Sequence, residues 1–292
     1  MKPAPFQYVS AHSLDEALAA LADAGEGGKV LAGGQSLVPL LALRLARPEV
    51  LVDVNPIAGL DRIVVEDHRL RVGALARHRA VELDEQVRRT FPLVSAAAAR
   101  IGHVAIRNRG TVGGSVAHAD PAAEWPALLL ALDGEVEVAS RRGRRVVAAQ
   151  DLYDGYLTTS LEVDEIVCEV RVTLPAGRTG TSFLELARRE GDFAIVGIAA
   201  VLALEGDEVR QCRLALSGVS STPVRARGAE ERLVGGVADD AAFAAAAQTV
   251  ADEIDPPGDI HGSADYRRKV AGVLVRRALV AARDEIGRTV AK

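Results

Sequence analysis

Two glycine pairs constrain this chain more than any other feature. Gly33 and Gly34 follow the apolar run KVLA at 29–32, and Gly113 and Gly114 follow Thr111 and Val112 in GTVGGSVAHADP at 110–121. A glycine pair admits positive φ and lets the backbone approach a ligand with no Cβ between, while its N–H groups become donors to an anion. Either pair alone would also make a tight turn. Here both follow a strand-like run and both are followed within two residues by a hydroxyl, Ser36 or Ser115. One elongated anionic ligand held twice accounts for both, and a pyrophosphate has the required chemistry. Neither loop matches G-x-x-x-x-G-K-[ST] or G-x-G-x-x-G, which disfavours a Walker-type ATPase and a Rossmann domain. Ser36 is placed to cap the next helix, whose positive end favours the same negative charge.

The chain has 292 residues, 49% hydrophobic and 26% charged, enough for two or three cores. Its net charge of −5 supplies no positive field to hold a polyanion, so nucleic acid is not an expected partner. The basic cluster Arg141-Arg142-Gly143-Arg144-Arg145 lies between VEVA and VVAA and reads as a solvated hairpin tip. Cys168 and Cys212 show no C-x-x-C spacing, so no thiolate set for zinc or an iron–sulfur cluster is expected on this chain, and both read as reduced core residues. The N-terminal stretch has no signal-type apolar core and no run approaches membrane-spanning length. The expected location is cytoplasmic, with any membrane association made through a partner.

Strand and helix patterns alternate along the chain. Ser13 with Glu16 forms a capping-box pattern before LDEALAALADAG, which ends near Gly25 and Gly27. Helices are expected over 37–46, with Pro39 tolerated in the first turn, over 81–100, and in PAAEWPALLLAL after the second loop. LVDVN reads as a strand, DRIVVEDHRLRVGAL as a hairpin, and strands dominate from 134 to about 175. PAGRTGT, 175–181, reads as a linker. Beyond it come three strand-like runs, SFLELARRE, FAIVGIAAVLALE and VRQCRLALSGV, and an alanine-rich helical tail. In the last helix Val270, Val273, Leu274 and Val275 stand against Arg267, Arg268, Arg276 and Arg277, more apolar positions than one narrow stripe needs. That surface either packs on its own domain or docks a partner. The fold class is α+β, in three pieces.

The stretches LAGGQSLVPLLALRLARPEVLVDVN (31–55), IGHVAIRNRGTVGGSVAHADPAAEWPALLLALDGEVEV (101–138), FLELARREGDFAIV (183–196) and SGVSSTPVRARGAEERL (217–233) resemble the FAD-binding medium subunit of molybdenum hydroxylases, the carbon monoxide dehydrogenase and xanthine dehydrogenase family. The resemblance covers nearly the whole chain in order. It implies a vanillyl-alcohol-oxidase-like (PCMH-type) FAD-binding fold over 1–176, with subdomains of about 1–55 and 56–176, and a C-terminal α+β domain over 177–292 resembling the CO dehydrogenase flavoprotein C-terminal domain. It also implies partners: a small subunit with two [2Fe–2S] clusters and a large subunit with the molybdopterin cofactor, in a dimer of heterotrimers. The flavin would take electrons from the clusters and pass them to NAD⁺, a quinone or another acceptor. No catalytic acid, base or nucleophile is expected on this chain, because the redox chemistry belongs to the cofactor.

Carried over by position, the resemblance implies that Ala32, Gly33, Gly34, Gln35 and Ser36 hold the FAD diphosphate through backbone amides, with Leu31 and Leu37 beside them. Thr111, Val112, Gly113, Gly114 and Ser115 would hold its other side. Glu124 stands where the family has an acidic residue on an FAD hydroxyl; its alternative is a helix-surface charge. Phe193 stands where the family sets a ring or large apolar group against the isoalloxazine; its alternative is a core phenylalanine. Ile101 and Val167 would be apolar neighbours of the flavin or adenine. His118 would bond the cofactor as a neutral imidazole, or serve as a structural hydrogen-bonding group, while Arg107 and Asn108 shape the loop. Two positions depart from the family. Ser115 replaces a common Asn and shortens a polar reach, and Glu185 replaces a common Lys, where a negative charge would lower the flavin potential. A self-sufficient FAD oxidoreductase of the same fold, or an assembly module without FAD, are the alternative readings. The intact loops disfavour the second, and the missing acid–base constellation disfavours the first.

Overall fold

The structure is a computed structural model that describes residues 2–66 and 68–290, with backbone only for 289 and 290. Three α+β layers follow one another along the chain. The first comprises β1 (Gln7–Ser10), α1 (Leu14–Ala24), β2 (Gly28–Leu31), α2 (Leu37–Ala42) and β3 (Val50–Asp53), with a parallel sheet in the order β1-β3-β2. The Ser13 hydroxyl accepts from Glu16 N at 3.2 Å and the Glu16 carboxylate accepts from His12 N at 2.7 Å, satisfying two amides that the first helical turn cannot. Gly25, at φ +52°, ends the helix. Helix α2 is shorter than the expected 37–46, because the chain turns off at Arg44 with φ +60°.

The second layer is a five-stranded antiparallel sheet and a run of short helices. It contains β4 (Ile63–Glu66), β5 (Arg69–Gly73), α3 (His78–Leu83), α4 (Glu85–Thr90), α5 (Pro92–Ala98), α6 (Val104–Arg107), α7 (Val112–His118), α8 (Glu124–Ala131), β6 (Glu135–Ser140), β7 (Gly143–Ala148), the small hairpin β8 (Tyr153–Gly155) and β9 (Thr158–Thr159), and β10 (Ile166–Thr173). The sheet order is β4-β5-β10-β6-β7. The single helix expected over 81–100 is three helices: Asp84 turns extended and caps α4 through Val87 N at 2.9 Å, and Phe91 leaves helical geometry before Pro92 opens α5. Helix α8 is buried all round, as its apolar sequence requires, and with Trp125, Phe91 and Leu129 forms the centre of the largest core.

The basic cluster lies at the β6–β7 turn, and its arginines are matched by carboxylates: Arg142 to Asp164 at 2.6 Å, Arg145 to Glu165 at 2.7 Å, Arg141 to Asp23 at 3.6 Å, and Arg144 to Glu137. Cys168 and Cys212 are both buried free thiols.

The third layer is an antiparallel sheet, β11 (Arg178–Ala187), β12 (Ala194–Glu205), β13 (Glu208–Ser217) and β14 (Val224–Arg225) in that order, with α9 (Arg227–Leu233), α10 (Asp240–Glu253) and α11 (Ala264–Val290). Phe183, Ala199, Val201 and Ala215 on one face join the core of the second layer, whereas Ile198, Leu202 and Leu214 on the other meet Phe243, Val250, Val275 and Leu279. Strand β12 is buried on both faces, which is why FAIVGIAAVLALE is a continuous apolar run and not an alternating one. Helix α11 buries the stripe Ala271, Val275, Ala278, Leu279 and Ala282, so its apolar surface packs chiefly on its own layer. Arg267 departs from the expected polar face: it is 5% exposed and donates to Ile195 O, to Gly218 O at 2.9 Å and to Asp259 at 2.7 Å.

Candidate functional site

The two glycine loops meet. A Cβ built on Gly33 would lie 2.5 Å from Arg109 O and 2.8 Å from Gly110 Cα, so the first loop rests on the backbone that leads into the second. Gly34 takes φ +72°, and a Cβ on Gly114 would lie 3.8 Å from Ala32. The loops are 80 residues apart in sequence, yet they are in contact.

Their amides are not equivalent. Among the described residues, the N–H groups of Gly33, Gly34, Gln35 and Ser36 meet no protein acceptor. In the second loop Val112 N donates to Ala76 O at 3.0 Å, Gly113 N to Ala74 O at 2.8 Å, Gly114 N to the Thr111 hydroxyl at 3.2 Å and Ser115 N to Thr111 O at 3.0 Å. Free amides are therefore found on the first loop only, whereas those of the second are used within the protein. The second is the capped start of α7, and Gly113 is there because a Cβ would come 2.5 Å from that of Ala74. The expected Ser36 cap is also absent: Ser36 has helical φ and ψ and its side chain makes no capping bond, while Gln35 folds back on Gly33 O at 3.1 Å.

Behind the loops lies a brace that the sequence did not announce. Asn55 Nδ2 donates to Ala32 O at 2.9 Å, Arg77 donates to Asn55 Oδ1 at 2.7 Å, and the same guanidinium donates to Arg109 O at 2.6 Å. Asp53 holds Asn55 at 2.6 Å and accepts from the Tyr8 hydroxyl at 2.5 Å. His78 donates its backbone N–H to Gly110 O at 3.1 Å and accepts from Trp125 Nε1 at 3.1 Å through Nδ1. Burial, with Arg107 and Arg77 nearby, pushes the imidazole down to about 3 and keeps it neutral, as an acceptor must be. The only local sign of this brace is Asn55-Pro56, a polar turn directly after a buried strand.

The other expected residues differ widely in burial. Leu31 ends β2 and Leu37 opens α2, both half-buried. Val112 is fully buried, and Ile101 and Val167 are 8% and 7% exposed in the large core. His118 ends α7 half-buried, and burial holds its imidazole below the usual histidine range. Arg107 donates to Ile101 O at 3.2 Å and Gly102 O at 2.7 Å, shaping the loop as expected, and it also pairs with Glu82 at 2.8 Å. Phe193 is 64% exposed, which removes the core-phenylalanine alternative. Its loop rests on His103, which a Cβ on Gly191 would approach to 2.6 Å.

Glu124 is not a helix-surface charge. It is 6% exposed at the start of α8, and burial, with Glu185 and Asp120 adding to it, pushes its carboxyl up to about 8. Burial likewise raises Glu185 to about 7 against the opposing charge of Arg100, and its Oε2 is buried with no hydrogen-bond partner. The fixed negative charge expected at Glu185 is thus replaced by a group that carries a proton for much of its time near neutrality.

Two touching glycine loops, with free amides on one of them and neither a Walker nor a Rossmann glycine pattern, suit the binding of an anionic ligand outside those two classes. Residues 4–176 match the FAD binding domain in molybdopterin dehydrogenase, and residues 181–282 match the CO dehydrogenase flavoprotein C-terminal domain. The chain belongs to this family of FAD-binding subunits. It is 43% identical to the 6-hydroxypseudooxynicotine dehydrogenase complex subunit alpha of Paenarthrobacter nicotinovorans, over 97% of this chain and 96% of that one. It is 38% identical to the caffeine dehydrogenase subunit beta of Pseudomonas sp. strain CBB1, over 98% and 97%. Among solved structures it superposes on carbon monoxide dehydrogenase from Hydrogenophaga pseudoflava with a TM-score of 0.95 at 38% identity, covering 98% of this chain and 99% of that one.

Proposed function

We propose that this chain is the FAD-carrying medium subunit of a heterotrimeric molybdenum hydroxylase, taking electrons from [2Fe–2S] clusters of a small subunit and passing them to an external acceptor after substrate oxidation at a molybdopterin site on a large subunit. The observation that carries the reading is the junction of the two glycine loops, where Gly33 leaves no room for a Cβ and the amides from Gly33 to Ser36 are free to meet a diphosphate. Bound FAD supplies the centre that accepts and releases electrons.

The chain's own residues bind and orient. Gly33, Gly34, Gln35 and Ser36 donate amides to the diphosphate, with Leu31, Ala32 and Leu37 packed beside it. Thr111 to Ser115 form the opposite wall, contributing side chains and shape, and His118 offers a neutral imidazole at the end of α7. Glu124 would accept from a cofactor hydroxyl, Ile101 and Val167 would supply apolar backing, and the exposed Phe193 would offer an apolar face to the ring system. The division of domains is placed at 176/177, supported by the gap between β10 and β11. Among the described residues no helix is long and apolar enough to cross a membrane, and a cytoplasmic location is part of this proposal, as is a dimer of heterotrimers.

The test is purification from the native host, followed by a visible spectrum, cofactor release and a subunit gel. Flavin bands over iron–sulfur absorption, releasable FAD and two co-purifying chains are expected. A colourless single chain that takes up no FAD would overturn the reading.

A further inference from the structure

Strands β11, β12 and β13 place Glu185, Gly197 and Ser217 side by side in register, and residues so paired point to the same face of the sheet. Gly197 contributes no side chain. The Ser217 hydroxyl lies 2.4 Å from where its Cβ would be and Glu185 Cβ lies 3.8 Å from the same point, so the row is a notch flanked by a hydroxyl and by the stem of a glutamate. Ser217 is 1% exposed, and neither its Oγ nor Glu185 Oε2 has a hydrogen-bond partner. Buried oxygens without partners are costly, and two in one notch mark a place built for a polar ligand. The notch opens beside the start of α8: Gly218 N donates to Pro121 O at 2.8 Å, and the Glu185 charge reaches Glu124.

We propose that Glu124, Glu185 and Ser217 form one pocket for the hydroxyl- and carbonyl-bearing part of FAD, and that the two carboxylates hold a proton which FAD binding retains. The inference rests on the reading of this chain as an FAD carrier. The charged groups that face the pair are Asp120 and Arg100; Asp120 adds to the repulsion and Arg100, on the exposed side, opposes it only in part. With the proton present, the pocket offers an O–H donor beside the Ser217 hydroxyl. With both carboxylates ionised it offers acceptors and two buried like charges, and the ligand loses its donor. The proton balance is simple: above the range where the free pair holds its proton, each FAD bound takes one proton from solvent. A negative charge fixed at Glu185 would require the opposite, a site indifferent to pH in the alkaline range.

The experiment measures the FAD dissociation constant of the full chain by the fluorescence of released FAD from about pH 6 to about pH 9.5, with calorimetry in two buffers of different ionisation heat to count protons. A constant value is expected on the acid side, then a rise of up to about tenfold per pH unit above about pH 7, with about one proton taken up. The Glu124→Gln/Glu185→Gln variant should keep FAD and lose the rise, because an amide donates at every pH. Ser217→Ala should weaken binding several-fold at every pH with the slope intact. A pH-independent constant in the parent chain, no proton uptake, or an undiminished slope in the double variant would overturn the inference. A chain that binds no FAD at any pH would overturn the functional reading with it.

Discussion

Gly33 has no room for a methyl group. The atoms a Cβ would meet are the backbone of Arg109, Gly110 and Thr111, which cannot swing aside as a side chain would. Gly33→Val should therefore separate the loops, abolish FAD retention after desalting, and lower the stability of the FAD-free chain by about 1–3 kcal/mol without unfolding it. Gly114→Val meets the Thr111 hydroxyl at 2.6 Å, a group that can rotate at the expense of the α7 cap. It should also lose FAD, with a stability loss of about 1 kcal/mol. FAD content and apo melting temperatures check both, and normal flavin in either variant would refute the placement of the diphosphate. The glycines were legible because each pair follows an apolar run and is flanked by a hydroxyl. Asn55, Arg77 and His78 were not, since each acts on a loop residue 23 to 32 positions away and little local marks it.

Helices α3 and α6 are joined by the buried pair Glu82 and Arg107, at 2.8 Å with both side chains nearly inaccessible. Removing one partner leaves the other charged and buried, so Glu82→Gln should destabilise the chain by about 3 kcal/mol in urea unfolding. Lys in place of Arg107 should not restore the loss, because the guanidinium also serves the carbonyls of Ile101 and Gly102. Element types in this region were readable from periodicity, but boundaries were not. The apolar pattern from Val81 to Arg100 suits one helix, and only Asp84 and Pro92, read as cap and N-terminal proline, divide it. The third layer was readable in outline because its long strands announce themselves by unbroken apolar runs. The shared row of Glu185, Gly197 and Ser217 was not, since strand register is invisible until the sheet exists.

Buried groups shape the pH profile of the whole molecule in opposite senses, His78 on the acid side and Glu124 with Glu185 on the alkaline side. His78 falls from 6.5 to about 3 on folding, so the unfolded chain binds the extra proton and stability is lost as pH falls below about 6.5, by up to about 1.4 kcal/mol per pH unit. Glu124 rises from 4.5 to about 8, so the folded chain holds the extra proton and stability is lost as pH rises from about 4.5 to about 8 at a similar rate. Where the windows overlap the slopes oppose, and the FAD-free chain should be least sensitive to pH there. Melting temperatures across pH should show His78→Gln flattening the acid limb and the Glu124→Gln/Glu185→Gln variant the alkaline limb; unchanged profiles would refute both assignments. The contact of Gly33 with Arg109 has a consequence for the life of the protein in a cell. The first layer and the second meet at this contact, so a ligand bound across it at about a hundred times its dissociation constant would add about 2.7 kcal/mol against every opening that parts them. A cell short of flavin would then leave this junction as the first place for a protease to enter, and the supply of a vitamin would set how long the subunit waits for its partners.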